Sequence, residues 1–118
     1  MPRPVGPYSH AVVSNGFVFT SGQLPVVPES GKIEAIDFEG QLRQVLDNLK
    51  TVLESSGSDL SKVVKLTVFL IDLNNFATLN QVFTEYFPKE PASRSAVQVS
   101  RLPLNSLVEI EAIATLEN

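Results

Sequence analysis

Leu42, Val45, Leu46, Leu49, Val52 and Leu53 recur at intervals of three and four, with Arg43, Gln44, Asp47 and Lys50 between them. This spacing puts the apolar side chains on one stripe of a helix and the polar ones on the other side. A helix over Asp37–Ser56 with one apolar face must bury it, so the rest of the chain has to supply a matching apolar surface. Asp37 is the expected N-cap, and Gly57 stands where a left-handed C-terminal cap is wanted.

Strand patterns supply that surface. Ser9–Val13 and Phe17–Ser21 flank Ser14-Asn15-Gly16, and an Asn-Gly between apolar runs predicts a hairpin. Gly22–Lys32 carries Pro25, Pro28 and Gly31 and reads as a loop. Val63–Ile71 is β-branched and apolar on both alternating faces, as expected of a central strand buried on two sides. A second helix is expected to begin at a cap on Asn74 or Asn75. Its Phe76, Leu79, Phe83, Tyr86 and Phe87 share one stripe, and Pro88 and Pro91 stop it. Two strands, Ser95–Val99 and Val108–Leu116, finish the chain, with Val108, Ile110, Ala112 and Ala114 on one face of the last and Glu109, Glu111 and Ile113 on the other.

The order β-β-α-β-α-β-β implies an α+β sandwich, a mixed sheet with both helices on one face. The other face then lacks cover from within the chain, so Phe17, Phe19 and Val63-type positions are either exposed or covered by another subunit. Homo-oligomerisation is the expectation. With 118 residues the chain reads as one domain, residues 1–118.

Several function classes fall away on composition. The chain has no Cys and one His, His10, which excludes disulfides, thiolate catalysis and sulfur- or histidine-built metal sites. No metal and no cofactor are expected. Nine basic against 13 acidic residues give a net charge of −4, the wrong sign for holding nucleic acid through its phosphates. No apolar run approaches the ~20 residues of a membrane span, and Met1–Pro4 leads directly into the turn-like Val5-Gly6-Pro7 rather than into a signal peptide. A cytoplasmic protein is expected, or a mitochondrial one if a presequence was removed.

Few residues are left to carry chemistry. Arg94 opens a strand after Pro91-Ala92-Ser93, and a guanidinium there can grip a carboxylate through two parallel hydrogen bonds. On pattern alone, an Arg in this place is more often a surface or ion-pair residue. Glu109 and Glu111 point the same way from one strand, usually the mark of a solvated face. Their apolar flank, Val108 to Ala114, favours an interface or cavity instead. Tyr8 reads equally as a pocket-closing phenol or an aromatic plug, His10 as a satisfied or exposed histidine, and Asn80 as a helix-edge amide.

Taken together, the segments are more specific than any one of them. Gly6-Pro7-Tyr8-Ser9, Thr20-Ser21-Gly22-Gln23, Gln41 with Asn48-Leu49, Val64 to Phe69, Phe76 with Asn80, Arg94-Ser95, Leu102-Pro103 and Val108 to Ala114 occur in order over nearly the whole chain. In this the sequence resembles the RidA/YjgF reactive-intermediate deaminase family. The resemblance implies a chorismate-mutase-like α+β fold and a homotrimer with active sites between neighbouring subunits. It also implies cofactor-independent hydrolysis of 2-imino acids or their enamines, such as 2-iminobutanoate and 2-iminopropanoate, to 2-oxo acids and ammonia.

Carried over by position, Arg94 would bind the substrate carboxylate, Glu109 would hold or activate water, and Tyr8 would line the site from the neighbouring subunit. Gly22, Ala96 and Asn80 would shape it, the first two through backbone groups. Ala96 stands where many bacterial members have Cys, a change that a backbone role survives, and His10 replaces a frequent Gln. The chain begins so near Gly6 that a strand commonly preceding it is expected to be missing, leaving one sheet edge open. Two rival functions share this pattern: a non-catalytic trimer that binds 2-oxo acids, and an RNA-cleaving translation inhibitor, which the charge disfavours.

Overall fold

A computed structural model describes residues 9–116. Its first element is the expected hairpin, β1 (Ala11–Ser14) and β2 (Phe17–Thr20). Asn15 and Gly16 turn it with φ of 51° and 80°, the double left-handed geometry that Asn-Gly favours and that matches strand twist. Helix α1 (Phe38–Ser55) follows, then β5 (Val63–Leu70), α2 (Phe76–Tyr86), β6 (Ser93–Gln98) and β7 (Val108–Thr115). The segment read as a loop contains two short strands, β3 (Val26–Val27) and β4 (Lys32–Ile33), paired as a separate ribbon. Its prolines at 25 and 28 flank the first of these strands, which is why the prolines hid a pairing only two residues long.

The five-stranded sheet has the order β1-β2-β7-β5-β6, with β5 and β6 parallel and the other pairs antiparallel. The C-terminal strand, rather than β5, is therefore the middle one, although β5 is paired along both edges. Both helices lie on one face. There Val18, Leu66, Val68, Leu70, Ile110, Ala112 and Ala114 meet Leu42, Val45, Leu46, Leu49 and Leu53 of α1 and Leu79, Val82 and Phe83 of α2 in one buried cluster.

The outer face differs from the expectation in one respect. Val63 is buried in the core; a register shift between Val63 and Lys65 turns Val64 outward instead. Phe17, Phe19, Val64 and Val97 are exposed, Phe19 by 42 %, and Thr67 and Phe69 are only partly buried. Within one chain β5 is thus buried on one face, not two.

Helix ends follow the sequence unevenly. Ser58 and Gly57 donate their N–H groups to the Leu53 and Glu54 carbonyls, and Gly57 has a φ of 91°; together these form the glycine-centred C-terminal cap. Asp37 occupies the N-cap of α1 but makes no side-chain cap hydrogen bond. Likewise Asn75 occupies the N-cap of α2 without a side-chain cap hydrogen bond, and Asp72 accepts from the Asn74 N–H at the short 3₁₀ turn just before it. Asn75 thus stands at the N-cap as expected, and Asp72 caps only the 3₁₀ turn. No helix among the described residues is long and apolar enough to cross a membrane.

Candidate functional site

Two clusters hold the candidate residues, and they lie on opposite faces of the sheet. Arg94 pairs in register with Leu66, on the helix-covered face. Its guanidinium carbon sits 5.1 Å from the Phe76 ring centre and 5.3 Å from that of Phe83, both on α2. A cleft of about 310 Å³ opens there, lined by Leu66, Asn80, Phe83, Phe87, Ala92 and Arg94, with Thr84 and Pro91 at its sides. Asn80 is thus at the cleft, and Ala96 lies two residues beyond Arg94 on the same face, opposite Val68. Among the described residues the Arg94 side chain has no ion pair and no hydrogen bond, so its five N–H donors are uncommitted there.

The second cluster surrounds Glu109. This residue pairs with Phe69, alternate to the buried Val108 and Ile110, so its side chain is on the outer face. Gly22 abuts it: a Cβ at position 22 would overlap the Glu109 carboxylate. Only glycine allows so close an approach. Burial first, and the negative charge of Glu111 second, push the Glu109 carboxyl above the usual range for a glutamate. A carboxyl with that bias exchanges a proton with a water more readily near neutral pH than a solvated one.

Buried amides place this second cluster. Gln23 continues the β2 edge beside β7 through paired backbone hydrogen bonds with Ile110. Between these bonds and the β2 ladder the Ala112 N–H would be left over, and the Thr20 hydroxyl accepts from it at 3.0 Å. The Gln23 side chain contacts the His10 ring at 3.2 Å. From the core side of α1, Asn48 donates to the Leu24 and Val26 carbonyls, while Gln41 donates to the Ala35 carbonyl and accepts from the Leu107 N–H. Two polar residues inside an apolar stripe thereby anchor the segments before and after which Gly22 and Glu109 stand. Residue-by-residue reading passed over them, and the signal was available: an amide on the buried side of a helix must find partners, and loops supply carbonyls.

Tyr8 lies outside the described residues. No group of three or more His, Asp or Glu among the described residues is placed to hold a metal ion. What one chain offers is a guanidinium beside a cleft at one face and a partly buried carboxyl at the other.

The chain matches the Endoribonuclease L-PSP family over residues 1–116. It is 49 % identical over 116 residues to a RutC family protein of Pyrococcus horikoshii, covering 98 % of this chain and 92 % of that one. With Reactive Intermediate Deaminase A, chloroplastic, of Arabidopsis thaliana it shares 48 % identity over 115 residues, 98 % of this chain and 62 % of the plant protein. A crystal structure of TdcF from E. coli with bound serine superposes with a TM-score of 0.88 at 44 % identity, covering 97 % of this chain and 91 % of that one. These likenesses carry the chorismate-mutase-like α+β fold as well as the sequence. The chain belongs to the Endoribonuclease L-PSP family, the RidA/YjgF family of reactive-intermediate deaminases.

Proposed function

We propose that this protein hydrolyses 2-imino acids, or their enamine tautomers, to 2-oxo acids and ammonia, at a site assembled between copies of the chain in a homotrimer. The observation that carries this reading is the uncommitted Arg94 guanidinium beside an apolar cleft, a setting for one carboxylate attached to a small carbon skeleton. The relative from Arabidopsis is named for deamination of reactive intermediates, and TdcF was crystallised with an amino acid, serine.

Arg94 and Glu109 face opposite ways in one chain, so a site that uses both takes Arg94 from one copy and Glu109 from the next. The exposed outer face, with Phe17, Phe19 and Val97, gives that second copy an apolar surface to cover. In the reaction, a water oxygen adds to the carbon of the protonated C=N bond, and a water proton passes to Glu109. Glu109 returns that proton to the nitrogen of the resulting carbinolamine, the C–N bond breaks as the C=O bond forms, and the hydroxyl proton leaves with ammonia as ammonium. The electrophile is already activated by its own charge, so fixing the carboxylate on Arg94 and one water on Glu109 supplies what the step needs. Gly22 makes room for the carboxyl, and Tyr8, Asn80 and Ala96 shape the rest of the site.

The test is to generate 2-iminobutanoate in situ with an amino-acid oxidase and trap it as the semicarbazone. Added protein should lower semicarbazone formation. Undiminished trapping, with 2-oxobutanoate still binding, would move the non-catalytic oxo-acid binder ahead. RNA cleavage, which the family name suggests, is disfavoured by the net charge of −4.

A further inference from the structure

We propose that Phe76 is a positioning residue that holds the Arg94 guanidinium ready for its anion. Phe76 opens α2 and is 39 % exposed, whereas Phe83, two turns later on the same face, is 8 % exposed and belongs to the core. An aromatic residue in the apolar stripe of a helix is ordinarily there to be buried. Phe76 takes no part in the buried cluster, and the aromatic interaction it makes is with Arg94, at 5.1 Å.

That distance is within the range at which a ring face attracts a cation, about 6 Å from the centroid. The two rings together bracket the guanidinium, 5.1 and 5.3 Å away, and use none of its N–H donors. A long side chain that would otherwise sample several rotamers is thereby fixed before the ligand arrives, which lowers the ordering cost of binding. Phe83 supplies the second ring and is itself a member of the core, whereas Phe76 lies outside the buried cluster.

The identity of the anion as an imino-acid carboxylate rests on the deaminase reading above; the bracket itself does not. Phe76→Leu keeps an apolar, helix-favouring side chain and removes the ring, while Phe76→Trp keeps a ring face. KM for the imine and the Kd of 2-oxobutanoate should rise about three- to tenfold in Phe76→Leu, with a much smaller change in kcat, because the clamp acts alike on bound substrate and transition state. Phe76→Trp should restore both constants. In an Arg94→Ala background, Phe76→Leu should add nothing further. The Nε–H resonance of Arg94, recorded without ligand, should shift in Phe76→Leu through loss of the ring's magnetic influence. If wild-type protein leaves semicarbazone formation unchanged, the deaminase reading fails and the resonance still decides the bracket. An unmoved resonance in Phe76→Leu, or equal ligand affinity in Phe76→Leu and wild type, overturns the inference.

Discussion

The helix-covered face of the sheet and its outer face use the same strands for different ends. On the covered face, every second residue of β7 is an aliphatic side chain packed in the core beneath the helices, and the candidate Arg94 sits at the margin on the edge strand β6. The outer face alternates aromatics with acids and hydroxyls: Phe19 beside Ile113, Thr67 beside Glu111, Phe69 beside Glu109. A face that only needed water would not carry Phe17, Phe19 and Val97, and one that only needed burial would not carry two carboxylates. The covered face makes a fold; in the proposed function the outer face supplies an interface and the carboxyl of a shared site.

Substitutions can break this comparison, and the largest effect is expected at the outer-face carboxyl. Glu109→Gln keeps the shape and removes the proton acceptor, so turnover in the trapping assay should fall by roughly 10²–10⁴, the usual share of a general base, while calorimetry shows 2-oxobutanoate still bound. Unchanged turnover would reduce Glu109 to a strand residue. On the covered side, Arg94→Lys should weaken 2-oxobutanoate binding by about 2–5 kcal/mol, since an ammonium cannot reproduce a planar two-bond grip. Equal loss of binding in both variants would refute the division of labour.

Stability should separate the faces as well. Leu46 is fully buried against the sheet, and Leu46→Ala should cost about 2–5 kcal/mol in a denaturant titration. Phe19→Ser, on the outer face, should do little to a lone chain and instead lower the molecular mass seen by light scattering. A monomeric wild type would remove the interface from the account.

The smallest effect concerns pH. Glu111 contributes to the raised Glu109 pKa by like charge, so Glu111→Gln should move the acidic limb of the kcat/KM profile to lower pH. Burial and Glu111 let the native state keep the Glu109 proton to higher pH than the unfolded chain does. That contribution is full below the unfolded pKa and is lost as pH rises through the folded one. Glu109→Gln should therefore remove a small fall of stability with rising pH across that interval, read as a denaturation midpoint at two pH values.

Much of the fold was legible because periodicity reports one property, whether a side chain is buried inside its own chain. The α1 stripe, the Asn-Gly hairpin and the alternation of β7 follow from it directly. Val63 misled the reading because a register shift reverses which residues point inward, and no residue type marks a bulge there. The β3–β4 ribbon was hidden because two residues are too few to show a period. In the site, Arg94 and Glu109 were each visible as residues of the right chemistry, but nothing in their spacing says they face apart. That follows from the parallel pairing of β6 with β5 and the insertion of β7 between β2 and β5, which depend on contacts between distant segments. Gln41 and Asn48 were quoted only as part of a family pattern; their work of holding two loops required the loops to be in place.

The central claim is that one working site takes Arg94 from one copy and Glu109 from another. It is tested most directly by mixing Arg94→Lys and Glu109→Gln proteins, each nearly inactive alone, after unfolding and refolding them together. Random mixing in equal amounts pairs an intact Arg94 with an intact Glu109 at about a quarter of the interfaces of a cyclic assembly. Semicarbazone trapping should then show about a quarter of the wild-type rate per site. No recovery of activity, in a sample where mass spectrometry finds mixed assemblies, would contradict the account.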